Sequence, residues 1–168
     1  MKLSLIIKQA RSGELKSLSS KDKSDEVIVD YVNLAMVALY SKFQLSSEEA
    51  IIALQDGKVS YKTDGTDANV TVNGSAVPDD DISRIISAYD EKGAIGVNDE
   101  SDPLSVYTPS YDSIQVPQPQ TGGFISLIYK KNPTLVEFTE GVTDPALVNV
   151  PVPLQLLEPL LHYVGYRA

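Results

Sequence analysis

Beyond Ser47 the apolar residues change from helical spacing to strand-like alternation, and near Leu154 they change back. A chain that runs helices, then hairpins, then a helix cannot build an alternating α/β fold. It is expected to be α+β, with an antiparallel sheet and with helices from the N- and C-terminal parts packed together. The expected organisation is one domain over residues 1–168. It has helical parts at 1–46 and 154–168, a β-rich insertion at 47–132 and an irregular stretch at 133–153.

The helical parts are read from period. Leu3, Ile6, Ile7 and Ala10 follow the spacing i, i+3, i+4, i+7 and mark one helix face, with Gly13 as its stop. Ser17 to Lys23 is polar and is expected to form a loop. The next helix is expected from Ser24 to Phe43. Ser24 is an N-cap, and Asp25 and Glu26 put negative charge in the first turn, where the helix dipole favours it. Val27, Tyr31, Leu34 and Ala38 form one apolar row, and Ile28, Ala35 and Leu39 form a second beside it. So wide a stripe predicts burial on more than one side. In the terminal helix Leu157, Leu160, Leu161 and Val164 recur at helical spacing, and Pro159 suits a first turn. Tyr31, Leu34, Ala38, Leu157, Leu161 and Val164 are therefore expected in a helix-to-helix core. The terminal helix carries no stop signal. The expectation is that the protein continues past Ala168 or that another molecule completes this end.

The insertion is read from turns. Ala50 to Leu54 and Val59 to Lys62 flank Asp56-Gly57 and are expected to pair as a hairpin. Val70 and Val72 lead into Asn73-Gly74, a second hairpin signal. A strand is expected over Arg84 to Tyr89, returning over Ala94 to Val97 after a turn ending at Gly93. Ser113 to Val116 and Phe124 to Tyr129 are read as further strands, bridged by the Pro- and Gly-rich Pro117 to Gly123.

Composition excludes more chemistry than it suggests. With no Cys and one His, His162, there is no disulfide framework, thiolate metal site or Cys nucleophile, and a nitrogen-ligated metal centre has no ligand set. Neither a phosphate-binding Gly-rich loop nor a Gly-x-Ser-x-Gly elbow occurs. Asp79-Asp80-Asp81 and Asn98-Asp99-Glu100 with Asp102 offer oxygen ligands, but neither has the spacing of a calcium loop, and both are read as solvated turns. Lys plus Arg number 14 against 23 Asp plus Glu, a net charge of -9, so DNA is not a partner to be gripped. No apolar run reaches the ~20 residues of a membrane span. The apolar start Met1 to Ile7 is broken by Lys8 and is not read as a signal peptide. No catalytic residue, metal or cofactor is called.

Tyrosine is the unusual residue, nine copies against no Trp. Its large ring and polar tip favour interfaces, so about half of the nine are expected on contact surfaces.

Six sets of segments stand in a telling order: Tyr31 to Tyr40 with Phe43; Glu49 to Ile52 with Leu54 to Lys58; Ala88 to Glu91 with Asn98 to Glu100; Ser105 to Tyr111; Ile128-Tyr129; and Tyr163 to Ala168. Together they resemble the head-to-tail adaptor (head completion) proteins of tailed bacteriophages, especially short-tailed ones. The resemblance lies in their joint order, which covers most of the chain. It implies a structural virion protein, not an enzyme. The protein would be made in the bacterial cytoplasm and placed in the neck as a ring, usually of twelve copies, beneath the portal. Its implied partners are the portal, a tail or nozzle protein and neighbouring copies of itself. DNA would pass through without specific binding, and no membrane is involved. The implied oligomer and portal interface comprises Tyr107, Tyr111, Leu160, Tyr163, Tyr166 and Arg167. The family's last helix continues beyond the Tyr-Arg-Ala stretch into an arm, and this chain departs from the pattern there. A different class also fits the residues: a monomeric β-rich binding module, carbohydrate-binding or adhesin-like, with Tyr107, Tyr111 and Tyr129 as a stacking platform. An enzyme using a carboxylate pair is a third.

Overall fold

The computed structural model describes residues 1–17, 24–118 and 122–168. The loop expected up to Lys23 and the centre of the Pro117 to Gly123 bridge lie outside them. The class is α+β, and the chain divides into two compact units. The first combines Met1–Phe43 with Pro133–Ala168, and the second is Gln44–Asn132.

The first unit holds α1 (Leu3–Ser12), α2 (Asp25–Lys42) and α3 (Leu157–Arg167), the last preceded by a 3₁₀ turn at Leu154–Leu156. α1 buries the four residues of its stripe and ends at Gly13, whose N–H donates to Gln9 O. α2 begins as its sequence dictates. The Ser24 side chain accepts from the N–H of Val27, and Asp25 and Glu26 occupy the first turn. Its inward face is Ile28, Val29, Val32, Ala35, Met36, Leu39 and Tyr40. α3 packs on both α1 and α2.

The stretch after Pro133 has no regular element until Leu154, yet its backbone is tied down. The Asn33 side chain donates to Val136 O at 3.0 Å and accepts from Val136 N–H at 2.8 Å, replacing a backbone partner on both sides. Tyr40 Oη donates to Pro151 O at 2.7 Å. The N-terminal ammonium donates to Val150 O, whose N–H returns a bond to Met1 O. Chain start and irregular segment thus pair as a short extended ladder, continued by the Lys2–Asn149 bridge.

The second unit carries two antiparallel sheets. The larger uses β1 (Ser47–Ala53), β3 (Val70–Val72), β4 (Ser75–Ala76), β5 (Ile82–Asp90), β6 (Gly93–Ile95) and β9 (Phe124–Lys131), in the order β4-β3-β1-β9-β5-β6. The smaller is β2 (Ser60–Lys62), β7 (Tyr107–Ser110) and β8 (Ser113–Gln115), in the order β2-β8-β7. Alternation builds the core. Ala50 and Ile52 of β1 lie opposite Leu127 and Ile125 of β9 on one side and Val72 and Val70 of β3 on the other. These residues share one buried cluster with Tyr61 and Ile114 of the smaller sheet.

The two glycine turns are built differently. Asn73-Gly74 closes the β3–β4 hairpin with both residues at positive φ, 51° and 76°, the geometry of a two-residue hairpin loop. Asp56-Gly57 does not close a hairpin. Gly57 has φ 69°, but β1 pairs with β3 and β9 while β2 pairs with β8, in the other sheet. A positive-φ residue reverses the chain without choosing which strand receives it.

Candidate interaction surfaces

Helical phase decides what α3 presents. Leu160 and Val164 are fully buried, and Leu157 and Leu161 are half-buried beside them. Leu160, expected at the outer interface, therefore belongs to the core of its unit. Burying such a side chain fully is worth roughly 1.5–3 kcal/mol. The back of α3 sits close to the segment after α1, since a Cβ on Gly165 would come within 2.8 Å of Glu14 Cβ. The last turns of α3 also carry Tyr163, Tyr166 and Arg167. Arg167 Nε and its second terminal nitrogen donate to Tyr163 Oη at 3.1 and 2.9 Å, and the guanidinium lies 5.3 Å from the Tyr163 ring centre. The rings of Tyr163 and Tyr166 are 6.5 Å apart and tilted by 56°. Tyr166 is 82% exposed. Tyrosine and arginine held in one geometry on a helix end are the residue types that dominate binding at interfaces.

α2 contributes a second outward surface. Leu34, expected in the helix-to-helix core, is 47% exposed, and Val37, one turn on, is exposed beside it. Tyr31 and Ala38 are half-buried at the edge of the stripe. The core-facing row is the one carrying Ile28, Val32, Ala35 and Leu39. The stripe was wide enough that its apolar residues alone did not identify the inward row.

In the second unit Tyr107 and Tyr111 are four residues apart but differently placed. Tyr107 is half-buried, and its hydroxyl donates to Asp99 O at 3.3 Å. Tyr111 stands 84% exposed in the turn between β7 and β8. Tyr129 cannot join them in a stacking platform, because its ring is completely buried. The binding-module reading loses one of its three rings.

Tyr129 instead belongs to a polar cluster at the rim of the core. Its hydroxyl donates to Asp81 Oδ2 at 2.6 Å and lies 3.1 Å from Glu48 Oε2. Lys131, two residues along β9, reaches Glu48 at 2.8 Å and Asp81 at 3.4 Å. Burial and the two carboxylates push the Tyr129 phenol far up. The Lys131 ammonium holds Glu48 below the usual carboxylate range, and Glu48 in turn raises Lys131. Asp81, read from sequence as a solvated turn residue, is buried and structural. The other acidic turn is also used internally: Asp102 Oδ2 accepts from Gly96 N–H at 2.6 Å and Asp99 Oδ1 from Ser101 N–H at 2.9 Å.

These shifts set a pH dependence. Beside Glu48, Asp64, Asp99 and Asp112 are lowered, chiefly by hydrogen bonds from Thr66, Ser101 and Lys62. Burial raises Asp67, but bonds from Lys58 and Asn69 outweigh it, and the net shift is downward. A carboxyl lowered in the folded state stabilises fully above its unfolded value, roughly 4, and loses that contribution as pH falls through the folded value. The urea midpoint of the second unit is expected to be flat from neutrality to about pH 5 and to drop below about pH 4. A midpoint already falling between neutrality and pH 5 would contradict this.

Among the described residues no helix is long and apolar enough to cross a membrane, and no group of three or more His, Asp or Glu is placed to hold a metal ion. No curated protein matches the chain. The model of the family described as SU10 adaptor protein matches residues 1–168. The chain belongs to that family of bacteriophage head-to-tail adaptors, and the role this carries is structural.

Proposed function

We propose that this member of the SU10 adaptor family assembles as a ring, of twelve copies in the short-tailed pattern, beneath the portal in the virion neck. The ring extends the DNA conduit and hands it to a tail or nozzle protein. The observation that carries this reading is the family match over the whole chain. Two surface features suit it. The outward row of α2, with Leu34 and Val37, is apolar where a subunit packed between neighbours needs apolar surface. The Tyr163, Tyr166 and Arg167 group on α3 is assigned to the portal contact, and exposed Tyr111 with Tyr107 to a second contact on the neck. A net charge of -9 suits a channel that must not hold DNA, because carboxylates facing the lumen repel phosphate and let it slide.

The test is to mix the purified protein with its portal and image the product. Rings stacked on the portal are expected. A monomer that ignores the portal and binds a glycan would overturn the reading in favour of a free binding module.

A further inference from the structure

The edges of the two sheets are not equally protected. β4 is only two residues long. β2 is guarded by Asp67, whose carboxylate accepts the Lys62 N–H at 3.3 Å and pairs with Lys58 at 2.7 Å. β7 contains Pro109, which has no N–H to offer, and Asn98 Oδ1 accepts the Thr108 N–H at 2.9 Å. These are ordinary devices against unwanted strand pairing.

β5 is different. It pairs with β9 along its length, but β6 covers its other side only from Ala88 to Asp90. Beyond Ile95 the chain leaves β5, and Val97 makes an isolated parallel bridge with Val106, just before β7. The departure opens a seam. From Ser83 to Ser87 no strand among the described residues lies on the side of β5 away from β9. The seam is a groove of 440 Å³ whose walls include Ile82, Arg84, Ile86, Val97 and Asn98. That volume lies within the range of about 300–1,000 Å³ typical of built ligand sites.

We infer that this open edge of β5 is a strand-addition site for a short extended segment of another protein chain, alternating apolar side chains with a carboxylate. An unpaired run of strand backbone selects an extended peptide, because only a strand matches its spacing of donors and acceptors. The side chains select the sequence. Among the described residues Arg84 is the only charged one lining the groove, and no ion pair engages it, in a chain with 23 acidic residues. Its planar fork matches a carboxylate in two-point contact. Ile82 and Ile86 supply the apolar wall. The pairing with β9 shifts register between Ile82 and Arg84 and again between Ile85 and Ser87. These irregularities bend the edge and disfavour pairing with a long flat strand, which limits an added strand to a short one.

The probes are two capped peptides, Thr-Val-Glu-Val-Thr and Thr-Val-Lys-Val-Thr, titrated into the intact isotope-labelled chain while backbone amide resonances are followed. The expected result is a saturable shift confined to Ser83–Ser87 and the groove walls for the Glu peptide, with about tenfold weaker binding of the Lys peptide. Arg84→Glu should reverse that preference. Arg84 is exposed and unpaired, so the variant is expected to fold, and an unchanged amide spectrum elsewhere verifies this. No shift at millimolar peptide, shifts elsewhere, or equal binding of both peptides overturns the inference. So does protection of Ser83–Ser87 by self-association without peptide, which would make a second copy the occupant. The readout requires no portal, so its failure is distinguishable from failure of the adaptor reading.

Discussion

Replacing Tyr129 by alanine is expected to cost the second unit about 3–5 kcal/mol, and replacing it by phenylalanine about 1–3 kcal/mol. The two losses separate two roles of one side chain. The ring lies fully buried on β9, in register with Glu48 on β1 and Ile85 on β5, so its removal opens a cavity between three strands that cannot easily close. The hydroxyl donates to the buried Asp81 carboxylate at 2.6 Å. Phenylalanine keeps the packing and deletes only that donor, leaving Asp81 to Lys131 alone at 3.4 Å. Urea unfolding should therefore rank wild type above Tyr129→Phe above Tyr129→Ala. For a unit of this size the phenylalanine variant should also melt at least about 4 °C lower. A phenylalanine variant as stable as the parent would mean that the hydroxyl contributes nothing. An alanine variant losing less than about 1 kcal/mol would mean that the ring is not in a packed core.

Tyr129 also marks where sequence reading reaches its limit. Its neighbours Ile125 and Leu127 alternate cleanly, so the strand was legible. Its hydroxyl partner was not, because Asp81 precedes β5 and meets Tyr129 only once β5 has paired with β9. The same logic separates the two turns. Asn73-Gly74 closes a hairpin between flanking strands, and everything that defines it is local. Asp56-Gly57 has the same local chemistry, but β2 pairs with β8, which lies far along the chain. β7 escaped the sequence reading for a third reason. Tyr107-Thr-Pro-Ser110 shows no alternation and contains a proline, as suits a strand whose outer side is capped by a side chain. In the helices the elements and the Ser24 cap followed from period and end chemistry. What period could not supply was phase. Where apolar residues cover more than half of a helix, either row can face inward, and Leu34 and Leu160 exchanged the places expected of them for that reason.

That exchange sharpens which residues on α3 should matter for assembly. Tyr166→Ala and Arg167→Ala are each expected to weaken binding to the portal by about 2 kcal/mol, roughly thirtyfold, while changing the stability of the free chain by less than about 0.5 kcal/mol. The argument rests on placement. Tyr166 is 82% exposed and Arg167 is also exposed, so removing either leaves no cavity in the free chain. Tyr163 Oη accepts two bonds from Arg167, and this fixes the guanidinium before a partner arrives, which lowers the ordering cost of binding. Tyr163→Phe keeps the ring under the guanidinium but frees its direction, and should weaken portal binding less than Arg167→Ala does. Leu160→Ala provides the contrast, because Leu160 is buried. It should cost about 2–5 kcal/mol of stability, and any effect on assembly should follow from that loss. The measurements are urea unfolding of each free variant and titration of each variant onto purified portal. If Tyr166→Ala and Arg167→Ala bind the portal as tightly as the parent, the aromatic and arginine group on α3 is not the portal contact.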